Sequence, residues 1–141
     1  MDTLQFIHSG WAYLVLIVLI LATFNALFKF FTGKEFDAKD FRISLFALIT
    51  MHIQLLIGII LWLTKGYFGE MSIGEVMKNS AVRKLAIEHP MTMIIAVALV
   101  TIGYSKHKKK LVSKPKFKML AIFYTIALIL VLYMIPWHIW F

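Results

Sequence analysis

Cysteine is missing from this chain. Its absence excludes disulfides, thiolate metal ligands and iron–sulfur clusters, and leaves nitrogen, carboxylate or thioether donors for any bound metal. Acids are scarce too: seven Asp and Glu stand against fifteen Lys and Arg. There is no glycine-rich phosphate loop and no nucleophile–base pairing, which sets nucleotide and hydrolase chemistry aside. No internal repeat or linker interrupts the chain, and the only biased tract is KHKKK at 106–110. The N-terminus lacks the basic stretch of a cleaved signal peptide and holds Asp2, so the first apolar run reads as a retained helix.

What the chain has in excess is apolar surface. Of its 141 residues 61% are hydrophobic, where a soluble domain has about 45–50%. Four apolar segments stand out, at Phe6–Phe31, Phe41–Thr64, Pro90–Tyr104 and Phe117–Ile135. A membrane span needs about 20 residues at 1.5 Å each, so the third is short if it starts at Pro90. Asn79-Ser80 is a good N-cap signal, and a start near Ala81 with a kink at Pro90 gives it full length. The expected fold is all-α: a single integral membrane four-helix bundle, up-down-up-down, with helices over roughly 6–31, 41–64, 81–105 and 117–135.

Charge predicts the orientation. Eleven Lys and Arg lie in or beside the first and third loops, against four in the second, at Lys65, Lys78, Arg83 and Lys84. The positive-inside rule puts the lysine-rich loop 105–118 in the cytoplasm and both termini outside. Trp11, Trp62, Trp137 and Trp140 then form an aromatic belt at the outer interface. Topology and lipid headgroups account for the net charge of +8, so the partner is the lipid bilayer and not nucleic acid.

Within that frame the histidines acquire depths. His8, His89 and His138 fall at the outer ends of the first, third and fourth helices. His52, ten residues before Trp62, lies about 15 Å further in. His107 sits among lysines and reads as solvated. An imidazole inside a span is costly and is a functional candidate by default. Stripes of small residues run below two of the rings: Ala12, Val15, Leu19, Ala22 and Ala26 below His8, and Met93, Ala96, Val100 and Gly103 below His89. They leave room for a flat ligand or a close helix. On the second helix Thr50, Gln54 and Gly58 form a polar-and-small stripe opposite His52, of the kind that cross-links neighbouring helices.

Several chemistries suit this arrangement. Imidazole is a standard axial ligand of haem iron, and bundles build cofactor sites from facing helices. His8 and His89, on diagonal helices at matched depth, make the most compatible pair, with Arg83 and Lys84 placed to meet propionates. A non-haem centre of copper, zinc or iron can draw on His8, His52, His89 and His138 with Glu88 or Glu70, although no HxxxH or HxH cluster is present. A quinone pocket bounded by His52 or His89 is a third reading. The fourth is a non-catalytic accessory subunit of a larger membrane complex, or a homo-oligomer, in which the histidines are structural.

The segments HSGWAYLVL at 8–16, HIQLLIGIIL at 52–61, MKNSAVRKLAIEHPMTM at 77–93, IGYSKHKK at 102–109 and IPW at 135–137 resemble a family of short bacterial four-helix membrane proteins commonly labelled cytochrome b-like. The resemblance covers nearly the whole chain. It implies a four-helix membrane bundle in the bacterial inner membrane, b-type haem as cofactor, and electron transfer near quinone or within a larger respiratory complex. The family pattern takes in His8, His52 and His89. His89 is then the leading ligand, and His8 and His52 compete as its partner.

Overall fold

A computed structural model describes residues 2–137, all of whose regular elements are helical. Two long helices come first, α1 over Thr3–Thr32 and α2 over Ala38–Lys65. Asp2 caps α1 by accepting from the Gln5 N–H at 2.8 Å, and the helix stops at Gly33, whose φ of 67° suits a residue without Cβ. Asp37 and Asp40 form a capping box on α2. The backbone N–H of Asp40, first among several donors and the nearby Lys29, holds the Asp37 carboxyl below its usual range. Three short helices follow, α3 over Tyr67–Glu70, α4 over Ile73–Lys78 and α5 over Ser80–Arg83. A π turn at Lys84–Glu88 leads into α6, His89–Lys109, and a final helix α7 covers Ser113–Met134.

Pro90 explains the π turn. It has no N–H to give the Ala86 carbonyl, and its ring crowds that oxygen. The backbone widens there, with His89 N–H reaching back to the Lys84 carbonyl. The orphaned Ala86 oxygen is taken by the Trp62 indole N–H at 2.8 Å. The third helical stretch thus starts at Ser80, and its irregularity lies just before the proline.

Four stretches, Thr3–Thr32, Ala38–Glu70, Ser80–Lys109 and Ser113–Met134, are long and apolar enough to cross a membrane. Helix α1 packs on α2 and α7, and α6 packs on the same two, so α1 and α6 are diagonal. The core follows the stripes of small residues: Val15, Leu19, Ala22 and Ala26 from α1 belong to one buried cluster with Ala96 and Val100 from α6. Those residues serve close helix packing below the two histidines. At Gly103 α6 lies so near α7 that a Cβ would stand 2.5 Å from that of Phe123. The outward faces expose large apolar side chains, among them Phe24, Leu56 and Ile129, each more than half exposed.

The two ends of the molecule differ. At the lysine-rich end Asp40, 1% exposed, accepts from Asn25 and Lys29 at 2.8 Å each and from the Asp37 N–H at 2.9 Å. His107, expected in solvent, is fully buried there. Phe36, Phe41 and Tyr104 surround its ring at centroid distances of 5.5, 6.2 and 4.9 Å. The Lys116 ammonium bonds its carbonyl. The lysines beside it in sequence point outward, while rings from the α1–α2 connection and from α2 close over the imidazole.

The expected tryptophan belt is also not level. The Trp11 indole donates to the Thr50 carbonyl at 2.9 Å, about 18 Å along α2 from Trp62. A buried indole N–H needs an acceptor, and the neighbouring backbone supplies one.

Candidate functional site

Two of the four histidine candidates come together. His8 on α1 and His89 at the start of α6 stand with ring centroids 6.3 Å apart and ring planes crossed at 79°. Both are half-buried, above the end of the packed core.

Each ring is held by its neighbours. His89 Nδ1 lies 2.9 Å from the Met134 carbonyl. A carbonyl only accepts, so Nδ1 bears the proton and Nε2 keeps its lone pair. This is the outer contact that commonly orients a metal-ligating imidazole. The Met134 contact comes from the end of α7 through backbone alone, so no side-chain pattern announces it. On the other side, Gln54 of α2 donates to the His8 carbonyl at 2.8 Å. Gly58, one turn on, lies under the His8 ring, where a Cβ would meet Cε1 at 3.2 Å. The Thr50/Gln54/Gly58 stripe therefore faces α1 and acts as the helix cross-link read from the sequence, with the added task of seating His8.

Buried polar atoms without partners gather here. His8 Nδ1 and Gln54 Oε1 are both buried and neither makes a hydrogen bond. Native interiors leave few such atoms, and each one asks for an explanation, a bound group being one. An open groove of about 850 Å³ between the start of the third stretch and the end of α7 is lined by Arg83, Lys84, Glu88, Thr92, Tyr133 and Met134 among others, and neither His8 nor His89 lines it. Arg83 is already engaged: its Nε donates to Glu88 at 2.9 Å and its Nη1 to the Met77 carbonyl at 2.7 Å. Lys84 makes no ion pair among the described residues and is the freer of the two cations expected to meet propionates.

The remaining candidates lie elsewhere. His52 is exposed on the outer side of α2, its Nδ1 2.8 Å from the Leu48 carbonyl and its Nε2 3.4 Å from Thr101 Oγ1 on α6. It does not join the His8–His89 pair. His138 lies outside the described residues. Among the described residues no three His, Asp or Glu side chains come together to hold a metal ion, so the multi-histidine metal centre is not assembled from them. Two imidazoles with bare nitrogens can ligate one metal-containing cofactor from two sides.

No protein-family model, no curated protein and no solved structure matches this chain.

Proposed function

We propose that the protein is a membrane b-type haem protein that transfers electrons, with His8 and His89 as the axial ligands. One observation carries the reading: these two rings, far apart in sequence, stand with centroids 6.3 Å apart, His8 Nδ1 is buried without a partner, and His52 lies elsewhere. Two imidazoles are one of the ligand sets that hold a haem iron, whereas a three- or four-ligand metal centre needs the cluster that is lacking among the described residues. Haem, when bound, supplies a one-electron iron couple. The chain's own work is to orient His89 through the Met134 carbonyl, to seat His8 on Gly58 and Gln54, and to screen the pair with packed helices.

The same proposal takes the four long helices as an up-down-up-down bundle across a bacterial inner membrane, both termini outside and the lysine-rich loop in the cytoplasm. The outward apolar side chains and the charge asymmetry support it. Because the chain has no cysteine, single Thr3→Cys and Lys108→Cys variants test it directly with a membrane-impermeant maleimide on intact cells. Position 3 is expected to label and position 108 to stay unlabelled until lysis; the reverse pattern rejects the orientation.

A visible spectrum tests the haem. Protein expressed with ample haem supply and purified in detergent is expected to show a Soret band that shifts on reduction. His8→Ala and His89→Ala abolish it, His52→Ala keeps it, and Gly58→Ala, which crowds the His8 ring, weakens haem retention without abolishing it. A colourless wild-type protein sinks the proposal, as does a His8→Ala variant with an unchanged spectrum.

A further inference from the structure

A second groove lies at the opposite end, between the last turns of α1 and the first half of α7. It measures about 400 Å³ and its walls include Leu27, Phe30, Phe31, Ile122 and Ile126, with Lys118 at one end. The polarity runs in one direction. Ile126 and Lys118 are about 12 Å apart along α7, apolar at the deep end and cationic at the other. Lys114, one turn before Lys118, holds its ammonium 5.6 Å from the centre of the Phe30 ring. No acid lines the groove. Lys114 and Lys118 form no ion pair among the described residues, and the nearby carboxylates of Asp37 and Asp40 are engaged by Lys29. A mostly apolar groove that ends at ammonium groups without ion-pair partners suits an acyl chain with a negative head.

The geometry points to a binding site for an anionic phospholipid in this groove, with an acyl chain between α1 and α7 and the phosphate on Lys118 and Lys114. The inference rests on the membrane reading above and is independent of haem. Lysines at the cytoplasmic surface attract anionic lipid in general. What this groove adds is a place for the chain, so that one lipid stays with the protein while the bulk exchanges.

Native mass spectrometry of the full-length protein from mixed phosphatidylglycerol–phosphatidylcholine nanodiscs tests it. Phosphatidylglycerol is expected to be retained over phosphatidylcholine. Lys118→Gln should lower that retention about fivefold, the worth of one interfacial lysine. Ile122→Trp fills the groove with every charge intact and should remove the retained lipid. Lys109→Gln, an exposed lysine outside the groove, should change it less than twofold, and millimolar inorganic phosphate should not displace the lipid. Equal retention of the two lipids, an effect of Lys109→Gln as large as that of Lys118→Gln, displacement by phosphate, retention unaltered by Ile122→Trp, or a second protein chain in place of lipid each overturns the site. The maleimide labelling reports separately on membrane orientation, so failure of the lipid site and failure of the membrane reading are told apart.

Discussion

His89 and His107 are anchored alike and surrounded differently. Each presents Nδ1 to a backbone carbonyl, that of Met134 for one and Tyr104 for the other, so each keeps a lone pair on Nε2. Around His107 that nitrogen is sealed among Phe36, Phe41 and Tyr104, buried with no partner. Beside His89 stands a second imidazole. His52 is a third variation, its Nδ1 tied to Leu48 and its other nitrogen turned to Thr101 at the outer surface. The anchoring contact therefore does not mark a ligand. What sets His89 apart is the second imidazole beside it.

The comparison extends to the two ends of the molecule, and the largest effect is expected at the lysine-rich one. Asp40→Leu leaves the Lys29 ammonium and the Asn25 amide without their buried acceptor, and breaking such a pair costs about 3 kcal/mol. Unfolding in detergent should show that loss while any Soret band of the folded fraction keeps its position. A spectral shift would mean that the two ends are coupled.

Next comes the bond between Trp62 and Ala86. Trp62→Phe strips the Ala86 carbonyl of its donor, a loss of about 2 kcal/mol for a buried acceptor left unpaired. Pro90→Ala restores a backbone N–H that can fill the same oxygen and draw the π turn back to α-helix, turning His89 away from His8. In a double-mutant cycle the tryptophan substitution should cost clearly less in the Pro90→Ala background. Strict additivity would show that the proline is not what frees that carbonyl.

Smaller in stability but sharper in contrast is the pair His89→Phe and His107→Phe. His107→Phe removes a buried nitrogen that has no partner and should change stability by less than about 1 kcal/mol, whereas His89→Phe leaves the Met134 carbonyl without its donor and should cost about 1 kcal/mol. Only His89→Phe should bleach the protein. Equal loss of colour in both variants would erase the distinction drawn between them.

The smallest effect is a pH dependence at the lysine-rich end. The Asp37 carboxyl is held below its usual range, chiefly by the Asp40 N–H. A lowered folded value favours the charged form, so its contribution is complete above the ordinary carboxylate range and fades as pH falls through the lower folded one. Asp37→Asn should flatten that part of the acid unfolding curve. An unchanged curve would remove Asp37 from the account.

Much of this was open to reading from the chain. Apolar runs separated by polar loops locate four long helices, because such a run has few other ways to satisfy its backbone in an apolar medium. Helical phase put His8 above Val15 and Leu19, and His89 above Ala96 and Val100, which belong to one buried cluster. Three features escaped. His107 reads as solvated because its sequence neighbours are lysines, yet its spatial neighbours, Phe36 and Phe41, come from elsewhere in the chain. His52 reads as a candidate ligand from its depth and from the resemblance, and neither says which way a ring points. Trp11 reads as an interface anchor, yet its N–H is spent on the Thr50 carbonyl. For His107 and Trp11 the deciding contact joins residues distant in sequence, and single-helix periodicity carries no information about it.

The polar bonds between α1 and α2 have a consequence for how the protein is made. Trp11 to Thr50, Gln54 to His8, Asn25 and Lys29 to Asp40, and Lys65 to Asp2 and Gln5 all close within residues 2–65. A ribosome that has released the first hairpin has released every group these bonds require. The register of the two helices, and with it the position of His8, can be settled during synthesis, while His89 is still to come. The first half of the chain then carries every group these bonds need before the second half follows, and the histidine pair can form only after His89 has been made.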